Sequence, residues 1–397
     1  MARLAGTDRG FRDMQPRVST PILPLTSVRF FAAFYVVLLH SVLWSNHVET
    51  STWMGRFLRT GYTAVGFFFV LSGYILAYVY LDTDKPFNRR AFWTSRFARV
   101  YPLLFASLLL DAPNDFLRRL STHGIGSAFL RSFVTLLSEC ALLQSWNGHF
   151  RDINAPSWSL SAEAFFYFVF PFVSFWIWRR KGFKAFGLFL LFWGCALFTP
   201  LLVTMRNPGL FVEVDSSHLQ WAIELMPIFR IFEFLSGIAL CSVQKSLAAR
   251  LTSEKLNRLA YIFIAVACIL FVVAIEFASQ IPLLAMSNGL LLPVHGLIIL
   301  GLTNIRGWLS SLLSHRYLFI LGESSYAVYL LHSPIWLYFS RIHEINTLSV
   351  WFFYVAIVIG ASIASFFFLE GPARKKILTL AGIRPRVLLK QEEATSS

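Results

Sequence analysis

Residues 25–45 read LTSVRFFAAFYVVLLHSVLWS, an apolar run in which only Arg29 and His40 carry basic side chains. A helix of about 20 predominantly apolar residues is long enough to cross the roughly 30 Å hydrocarbon layer of a membrane. The run is longer than the apolar core of a cleaved signal peptide, and four arginines precede it at positions 3, 9, 12 and 17. It therefore predicts a first transmembrane helix that is retained as an uncleaved anchor.

The composition of the whole chain agrees with this interpretation. Of its 397 residues, 56% are apolar and only 14% are charged, whereas soluble domains are about 45–50% apolar and about a quarter charged. This balance excludes disordered, collagen-like and soluble multidomain chains, and it predicts an all-α, polytopic membrane protein. The four cysteines lie in apolar runs without paired spacing, which predicts reduced thiols rather than disulfides or metal ligands.

Ten runs are long enough to cross a membrane. They lie at residues 25–45, 61–80, 127–146, 159–178, 184–204, 226–243, 259–278, 284–303, 317–338 and 349–369. An eleventh run, 97–111, is short and contains Pro102, which predicts a re-entrant or interfacial segment. We therefore expect about ten transmembrane helices plus this one short segment.

The distribution of positive charge predicts the orientation. If 97–111 does not cross, most of the 35 Lys and Arg residues fall on one side, including the RRKGFK loop at 179–184. The positive-inside rule then places both termini in the cytoplasm. The net charge of +14 is explained without nucleic acid, although the basic tail at 371–397 is suited to contact anionic lipid. The expected organisation is a basic cytoplasmic segment (1–24), a transmembrane domain (25–370) and that cytoplasmic tail.

Ionisable side chains inside the predicted spans mark a candidate site, since each costs about 2.5 kcal/mol or more at the bilayer centre. In the predicted orientation His40, Glu163 and His332 lie at similar depth towards the outer side, with Arg230 and Glu233 nearby. A neutral imidazole beside a carboxylate is a general-base arrangement, so His40 and Glu163 are predicted to pair. The alternatives are a histidine satisfied by a backbone carbonyl and an Arg230–Glu233 pair that only neutralises itself.

Two arginines predict a binding site for an anion, and a third, Arg29, is predicted to line a path through the membrane. Arg29 precedes His40 by eleven residues, about three helical turns, so both lie on one helix face about 16 Å apart. Arg96 and Arg99 point the same way at i and i+3, which suits a phosphate-rich cofactor better than a single carboxylate. Alternatively, these two arginines only set the orientation in the membrane. No metal-ligand spacing is present in the sequence.

The order of motifs resembles the acyltransferase-3 family of integral membrane O-acyltransferases over residues 25–370. The matching parts are Arg29 with His40, GFFFVLSGY (66–74), RFARVYP (96–102), WSLSAEAFFY (158–167), RIFEFLSGIAL (230–240) and LGESSYAVYLLHSPI (321–335). The resemblance implies transfer of an acyl group, most often acetyl, from cytoplasmic acyl-CoA to a hydroxyl of a carbohydrate or glycolipid, such as exopolysaccharide or lipopolysaccharide. It also implies a multi-pass protein of the plasma (bacterial inner) membrane without a tightly bound cofactor.

The resemblance assigns roles to single positions. It implies that His40 is the essential histidine, that Arg96 and Arg99 are the cytoplasmic Arg-x-x-Arg element, and that Glu163 is the first glutamate of the WSLSxE motif. In the mechanism that we expect, Arg96 and Arg99 bind the phosphates of acyl-CoA, and its thioester arm reaches inward past Arg29. Ala164 stands where the family usually has a second acid, so this chain has one carboxylate there and the resemblance does not extend to a mechanism that needs two adjacent acids. Further residues expected to line the site are Ser72, Gly73, Trp158, Ser161, Tyr167, Arg230, Glu233, Tyr329 and His332.

Two other functional classes remain open at this level. A proton-coupled transporter or permease would also place His, Glu and Arg side chains at similar depth. Against it, the sequence has no repeated half and no matching pair of helices broken by Gly or Pro, features that many secondary transporters show. The other class is an inactive relative that serves as an assembly scaffold.

Overall fold

The computed structural model describes residues 21–45, 52–82, 86–146, 153–206, 218–343 and 347–383. Within these ranges the chain forms α-helices and short helical turns and contains no β-strand. The helices are α1 (Leu23–Ser45), α2 (Trp53–Arg59), α3 (Thr63–Tyr80), α4 (Arg89–Leu120), α5 (Ile125–Cys140), α6 (Trp158–Trp178), α7 (Phe183–Arg206), α8 (His218–Leu225), α9 (Pro227–Arg250), α10 (Ser253–Glu276), α11 (Leu283–Ser287), α12 (Leu292–Asn304), α13 (Trp308–Leu313), α14 (Arg316–Glu323), α15 (Ser325–Phe339), α16 (Leu348–Ser365) and α17 (Gly371–Leu380). A π-helical turn, Phe366–Glu370, joins the last two.

Eight stretches of the described chain are long and apolar enough to cross a membrane. They are Leu23–Leu43, Thr63–Tyr80, Ala155–Trp178, Phe183–Arg206, Leu219–Arg250, Ser253–Glu276, Leu283–Asn304 and Leu348–Leu380. Each coincides with one of the ten predicted runs, which confirms the all-α, multi-pass architecture. The four cysteines are free thiols, as predicted.

The other two predicted spans differ from the structure. The run 127–146 forms α5, a helix of 16 residues, and a helix of that length reaches only about 24 Å. The run 317–338 is divided at Ser324 into α14 and α15. Gly322, just before the division, lies so close to α1 that an added Cβ would sit 2.1 Å from the carbonyl oxygen of Thr26.

The predicted short segment 97–111 is also corrected. It is the middle of α4, a continuous helix of 32 residues that includes Pro102 and Pro113. Each proline removes one backbone donor, and the helix continues through both. The number of crossings and the cytoplasmic position of both termini stay predictions, and residues 1–20 and 384–397 lie outside the described residues.

Glycines allow the two central helices α3 and α9 to pack against each other. A Cβ added at Gly73 would lie 2.0 Å from the carbonyl oxygen of Phe234, and one added at Gly237 would lie 2.0 Å from that of Val70. Such distances leave no room for a methyl group, so the helix backbones are in direct contact. The prediction that Gly73 lines the site is therefore corrected: its Cα faces α9, and the site lies on another face of α3.

Helices α4 and α15 run side by side in the same direction, which fixes the relative depth of the functional groups. The hydroxyl of Tyr326 donates to the carbonyl of Val100 (2.9 Å), and that of Tyr338 donates to the carbonyl of Leu110 (2.7 Å). The later residue of α15 contacts the later residue of α4, so the two helices are parallel. A position further along α15 therefore lies at the level of a position further along α4. His332 therefore lies beyond the level of Arg96 and Arg99 along this direction.

Candidate active site

A cavity of about 200 Å³ lies among α1, α3, α4, α6 and α15. Its polar lining comes from all five helices, and all ten of these residues belong to the motifs identified in the sequence. These side chains are Arg29, Ser72, Arg96, Arg99, Ser159, Glu163, Tyr167, Ser325, Tyr326 and Tyr329. The cavity therefore joins residues that are separated by up to three hundred positions in the sequence.

Three guanidinium groups give one end of the cavity a positive character. Arg99 lies over the ring of Tyr326, with its Cζ 5.5 Å from the ring centroid, and also 3.5 Å from a carboxylate oxygen of Glu370. Arg29 is 3.8 Å from a carboxylate oxygen of Glu323. Both ion-pair distances exceed those of a well-formed charge-assisted hydrogen bond. The two glutamates therefore balance the arginines without occupying all of their donors.

Arg96 is held by aromatic rings. Its Cζ lies 5.9 Å from the ring centroid of Tyr80 and 5.8 Å from that of Tyr167, distances at which a cation is attracted to the face of a ring. Among the described residues it forms no salt bridge. The aromatic contacts orient the guanidinium without neutralising it, which leaves its charge available to an anionic ligand.

Glu163 lies in this cavity and does not form the predicted pair with His40. Its carboxylate accepts a hydrogen bond from the Oγ of Ser72 (3.3 Å), and the phenol of Tyr167 adjoins both groups. It also lies within electrostatic range of Arg29 and Arg96. Glu163 was expected near the outer end of its helix with the histidine, but helix packing places its side chain on the arginine side.

The described partner of His40 is a second histidine. Nδ1 of His40 lies 2.7 Å from Nε2 of His332, and the two rings are nearly parallel at 12°. Nδ1 of His332 in turn lies 3.2 Å from the carbonyl oxygen of Val328, one turn earlier in α15. His332 is fully buried, whereas His40 is partly exposed. The expected similar depth of these two histidines is thus observed as a direct contact.

Tyr329 lies between the cavity and the histidine pair and is close to both. It lines the cavity, and its ring centroid lies 6.3 Å from that of His332. Its hydroxyl donates to the carbonyl of Pro156 (3.1 Å) and accepts from the Oγ of Ser159 (3.0 Å). These two hydrogen bonds fix the ring between the arginines and the histidines. His40 and His332 therefore lie just beyond the end of the cavity that is opposite the arginines.

The remaining predicted lining residues do not face the cavity. Trp158 packs against the ring of Phe69, and the Oγ of Ser161 donates to the carbonyl of Leu142 at 2.7 Å. Arg230 and Glu233 form a buried salt bridge of 3.0 Å. The guanidinium of Arg230 also donates to the carbonyl of Ser287 and the side chain of Asn288. Arg230 and Glu233 therefore neutralise each other inside the helix bundle, which was the alternative interpretation of these two residues in the sequence.

Some site residues were missed from the sequence. Tyr326 and Ser159 line the cavity, and Glu323 and Glu370 hold the arginines. One signal was available: Tyr326, Tyr329 and His332 are spaced by three residues, which places them along one face of a helix. No comparable signal marks Glu370, because it lies next to the predicted cytoplasmic tail and meets Arg99 only through the packing of the last helices.

Comparisons with known proteins find a family that matches most of this chain. Residues 25–369 match the sequence pattern of a protein family described as acyltransferase domain. Acyltransferase MdmB of Streptomyces mycarofaciens is 29% identical over 245 residues, which is 59% of this chain and 60% of that protein.

Two relatives have names that refer to peptidoglycan. The putative peptidoglycan O-acetyltransferase YrhL of Bacillus subtilis is 26% identical over 372 residues, covering 88% of this chain and 54% of that protein. Peptidoglycan O-acetyltransferase OatA of Listeria monocytogenes is 25% identical over 338 residues, covering 80% and 52%. The chain thus spans little more than half the length of these relatives. No solved structure shows significant similarity to it.

Proposed function

Because the chain belongs to the acyltransferase-3 family, we propose that it transfers an acyl group, most simply acetyl, from coenzyme A to a hydroxyl of a cell-surface or exported carbohydrate. The observation that carries this proposal is the position of Arg29, Arg96 and Arg99 at one end of a cavity whose other end adjoins the His40–His332 pair. An anion-binding end and a base-bearing end are the two parts that acyl transfer from a phosphorylated donor requires.

The arginine end suits the phosphates of an acyl-CoA donor. Guanidinium groups present planar sets of donors that match phosphate oxygens, and Arg96 carries a charge that no described salt bridge balances. A cavity of about 200 Å³ is smaller than the roughly 300–1,000 Å³ of sites that enclose a drug-sized ligand. We infer that the nucleotide part stays at the mouth and that the thioester arm enters the cavity.

The histidine end supplies the base in this proposal. His40 takes the proton of the acceptor hydroxyl as its oxygen attacks the thioester carbon, so that a C–O bond forms and the C–S bond breaks. The thiolate leaves and receives a proton, giving an ester and free coenzyme A. A general base of this kind contributes roughly 10²–10⁴-fold, and the positioning of two substrates supplies most of the remainder.

Glu163 acts on the donor side in this scheme. A carboxylate among three arginines reduces their mutual repulsion, and the contacts of Glu163 with Ser72 and Tyr167 hold the wall of the cavity in place. We therefore assign it to the positioning of Arg96 and the thioester arm. This replaces the earlier expectation that it orients His40.

The acceptor and the location are inferred together. The relatives named as peptidoglycan O-acetyltransferases make a carbohydrate acceptor the first choice, and the multi-pass architecture places the enzyme in a membrane. A donor taken from the cytoplasm and an acceptor outside the cell require the plasma membrane. Exopolysaccharide, lipopolysaccharide and peptidoglycan all present suitable hydroxyls.

The test is acetyl transfer by purified protein in liposomes with labelled acetyl-CoA and a panel of bacterial glycans. His40→Ala should abolish transfer, and Arg96→Gln should raise the KM for acetyl-CoA about tenfold or more. The matched controls are His295→Ala, a buried histidine outside the cavity, and Arg179→Gln on the exposed surface, and both should retain activity. A correctly inserted His40→Ala protein with full activity would refute the assignment. Solute movement into the liposomes without consumption of acetyl-CoA would favour a transporter.

A further inference from the structure

The hydrogen bonds of His332 determine which of its two ring nitrogens carries the proton. Nδ1 of His332 faces the carbonyl oxygen of Val328 at 3.2 Å. A carbonyl oxygen only accepts hydrogen bonds, so this nitrogen carries the proton. A neutral imidazole has one protonated and one unprotonated nitrogen, and Nε2 of His332 is therefore the acceptor. The opposite tautomer would place two lone pairs against each other at this contact.

The same reasoning determines the tautomer of His40. Because Nε2 of His332 accepts, Nδ1 of His40 must be the donor of the 2.7 Å hydrogen bond between the two rings. Nε2 of neutral His40 is then the nitrogen that carries a lone pair. This is the nitrogen that can take a proton from a hydroxyl. The hydrogen bonds thus run from the His40 imidazole to the His332 imidazole and on to the carbonyl of Val328. This arrangement is similar to a catalytic triad, in which a third group orients the base.

We propose that His332 is a positioning residue that holds His40 in the Nδ1-protonated form and aims its Nε2 at the acceptor hydroxyl. The proposal rests on the proposed function for the role of His40 as base. When His40 takes up the hydroxyl proton, its Nδ1–H remains hydrogen-bonded to His332, which stabilises the positive charge of the imidazolium. The proton is thus held at Nε2 of His40 until it is passed to the leaving thiolate or to solvent.

His332 is itself held in place from several sides. It is fully buried in α15. The hydroxyl of Tyr354 in α16 donates to its backbone carbonyl at 2.9 Å, and the ring of Tyr329 packs nearby. Pro334 lies inside the same helix, two positions further on. A rigidly held acceptor is what a positioning role requires, since a mobile group would not fix the tautomer of its neighbour.

Two amide substitutions at position 332 separate the two hydrogen bonds. His332→Gln places an amide oxygen near the position of Nε2, where it can accept from His40. His332→Asn reaches only the position of Nδ1, so it can bond to the carbonyl of Val328 but not to His40. We expect kcat to fall about tenfold or more in His332→Asn, in line with the loss of one hydrogen bond. His332→Gln should retain several-fold more activity, and the KM for acetyl-CoA should change less than twofold in both.

Equal kcat values for His332→Asn and His332→Gln, or a change confined to KM, would overturn the positioning role of His332. A purely structural role would give similar losses for the two substitutions, since both are polar and close in size. Thermal unfolding of each variant in the same detergent identifies any loss of folded protein, and the kinetic comparison is made at a temperature where both are folded.

A second measurement does not depend on activity. Solid-state ¹⁵N NMR of histidine-labelled protein in liposomes distinguishes protonated from unprotonated ring nitrogens, and the signals of the two residues are assigned by their loss in His40→Asn and His332→Gln. We expect Nδ1–H and an unprotonated Nε2 in both rings. A protonated Nε2 on His40 would refute the tautomer. The expected tautomer in a protein that transfers no acyl group would instead refute the proposed function.

Discussion

Arg99 is predicted to have two separate tasks, one in stability and one in binding. Its Nη1 lies 3.5 Å from Glu370, a carboxylate that is only 5% exposed and whose other oxygen has no hydrogen-bond partner among the described residues. Arg96 has aromatic contacts instead of such an ion pair. Replacing either arginine by glutamine should weaken acyl-CoA binding, but only Arg99→Gln leaves a buried carboxylate without its counterion.

The expected loss of stability in Arg99→Gln follows from the distance between Arg99 and Glu370. Two unit charges 3.5 Å apart attract each other by about 5 kcal/mol at an effective dielectric constant of about 20. Breaking a buried pair by removing one partner costs about 3–5 kcal/mol. The side chain of Arg99 is 18% exposed, so we expect the lower end, about 3 kcal/mol, for Arg99→Gln. Arg96→Gln loses two cation–π contacts, each worth about 0.5–1 kcal/mol.

The double variant Arg99→Gln/Glu370→Gln separates the two tasks. It replaces the carboxylate of Glu370 that Arg99→Gln leaves without its counterion. Most of the stability lost in Arg99→Gln should therefore return, while the affinity for acyl-CoA should stay reduced. Glu370→Gln alone should bind acyl-CoA at least as tightly as the wild type, because it removes a negative charge that competes with the phosphates.

The assay combines thermal unfolding in detergent with calorimetric titration of coenzyme A. From the highest to the lowest, the expected order of unfolding midpoints is wild type, Arg96→Gln, the double variant and then Arg99→Gln. If the double variant unfolds no later than Arg99→Gln, the contact with Glu370 does not stabilise the protein. If the double variant binds coenzyme A as tightly as Glu370→Gln alone, Arg99 does not bind the donor.

Two further predictions concern the packing around the site. Gly73→Ala should lower the unfolding midpoint sharply, since its Cβ would lie 2.0 Å from a backbone carbonyl of α9. Gly187→Ala should be tolerated, because no other part of the described chain lies within 4 Å of an added Cβ there. Equal midpoints for the two variants would contradict the close contact of α3 and α9. Glu233→Gln should cost about 3–5 kcal/mol because it leaves Arg230 buried without a counterion, yet the KM for acetyl-CoA should be unchanged at a temperature where the protein is folded. A raised KM in that folded variant would place this pair in the donor site.

The sequence alone determined the parts of the protein that depend on local properties. Apolar runs of sufficient length located the eight described stretches that are long and apolar enough to cross a membrane, because the bilayer requires about 20 apolar residues wherever a helix crosses. Helical periodicity placed Arg29 and His40 on one face of one helix and Arg96 beside Arg99. Both inferences use only neighbours along the chain.

The tertiary structure decided which groups meet. Glu163 and His332 were both expected near His40, and only His332 contacts it, although the two histidines are 292 positions apart. The side chain of Glu163 instead turns towards the arginines and accepts from Ser72. Similar depth in a membrane is necessary for contact but leaves the rotation of each helix undetermined. That rotation is set by packing, such as the direct contact of α3 with α9 at Gly73 and Gly237, and packing depends on all the helices at once.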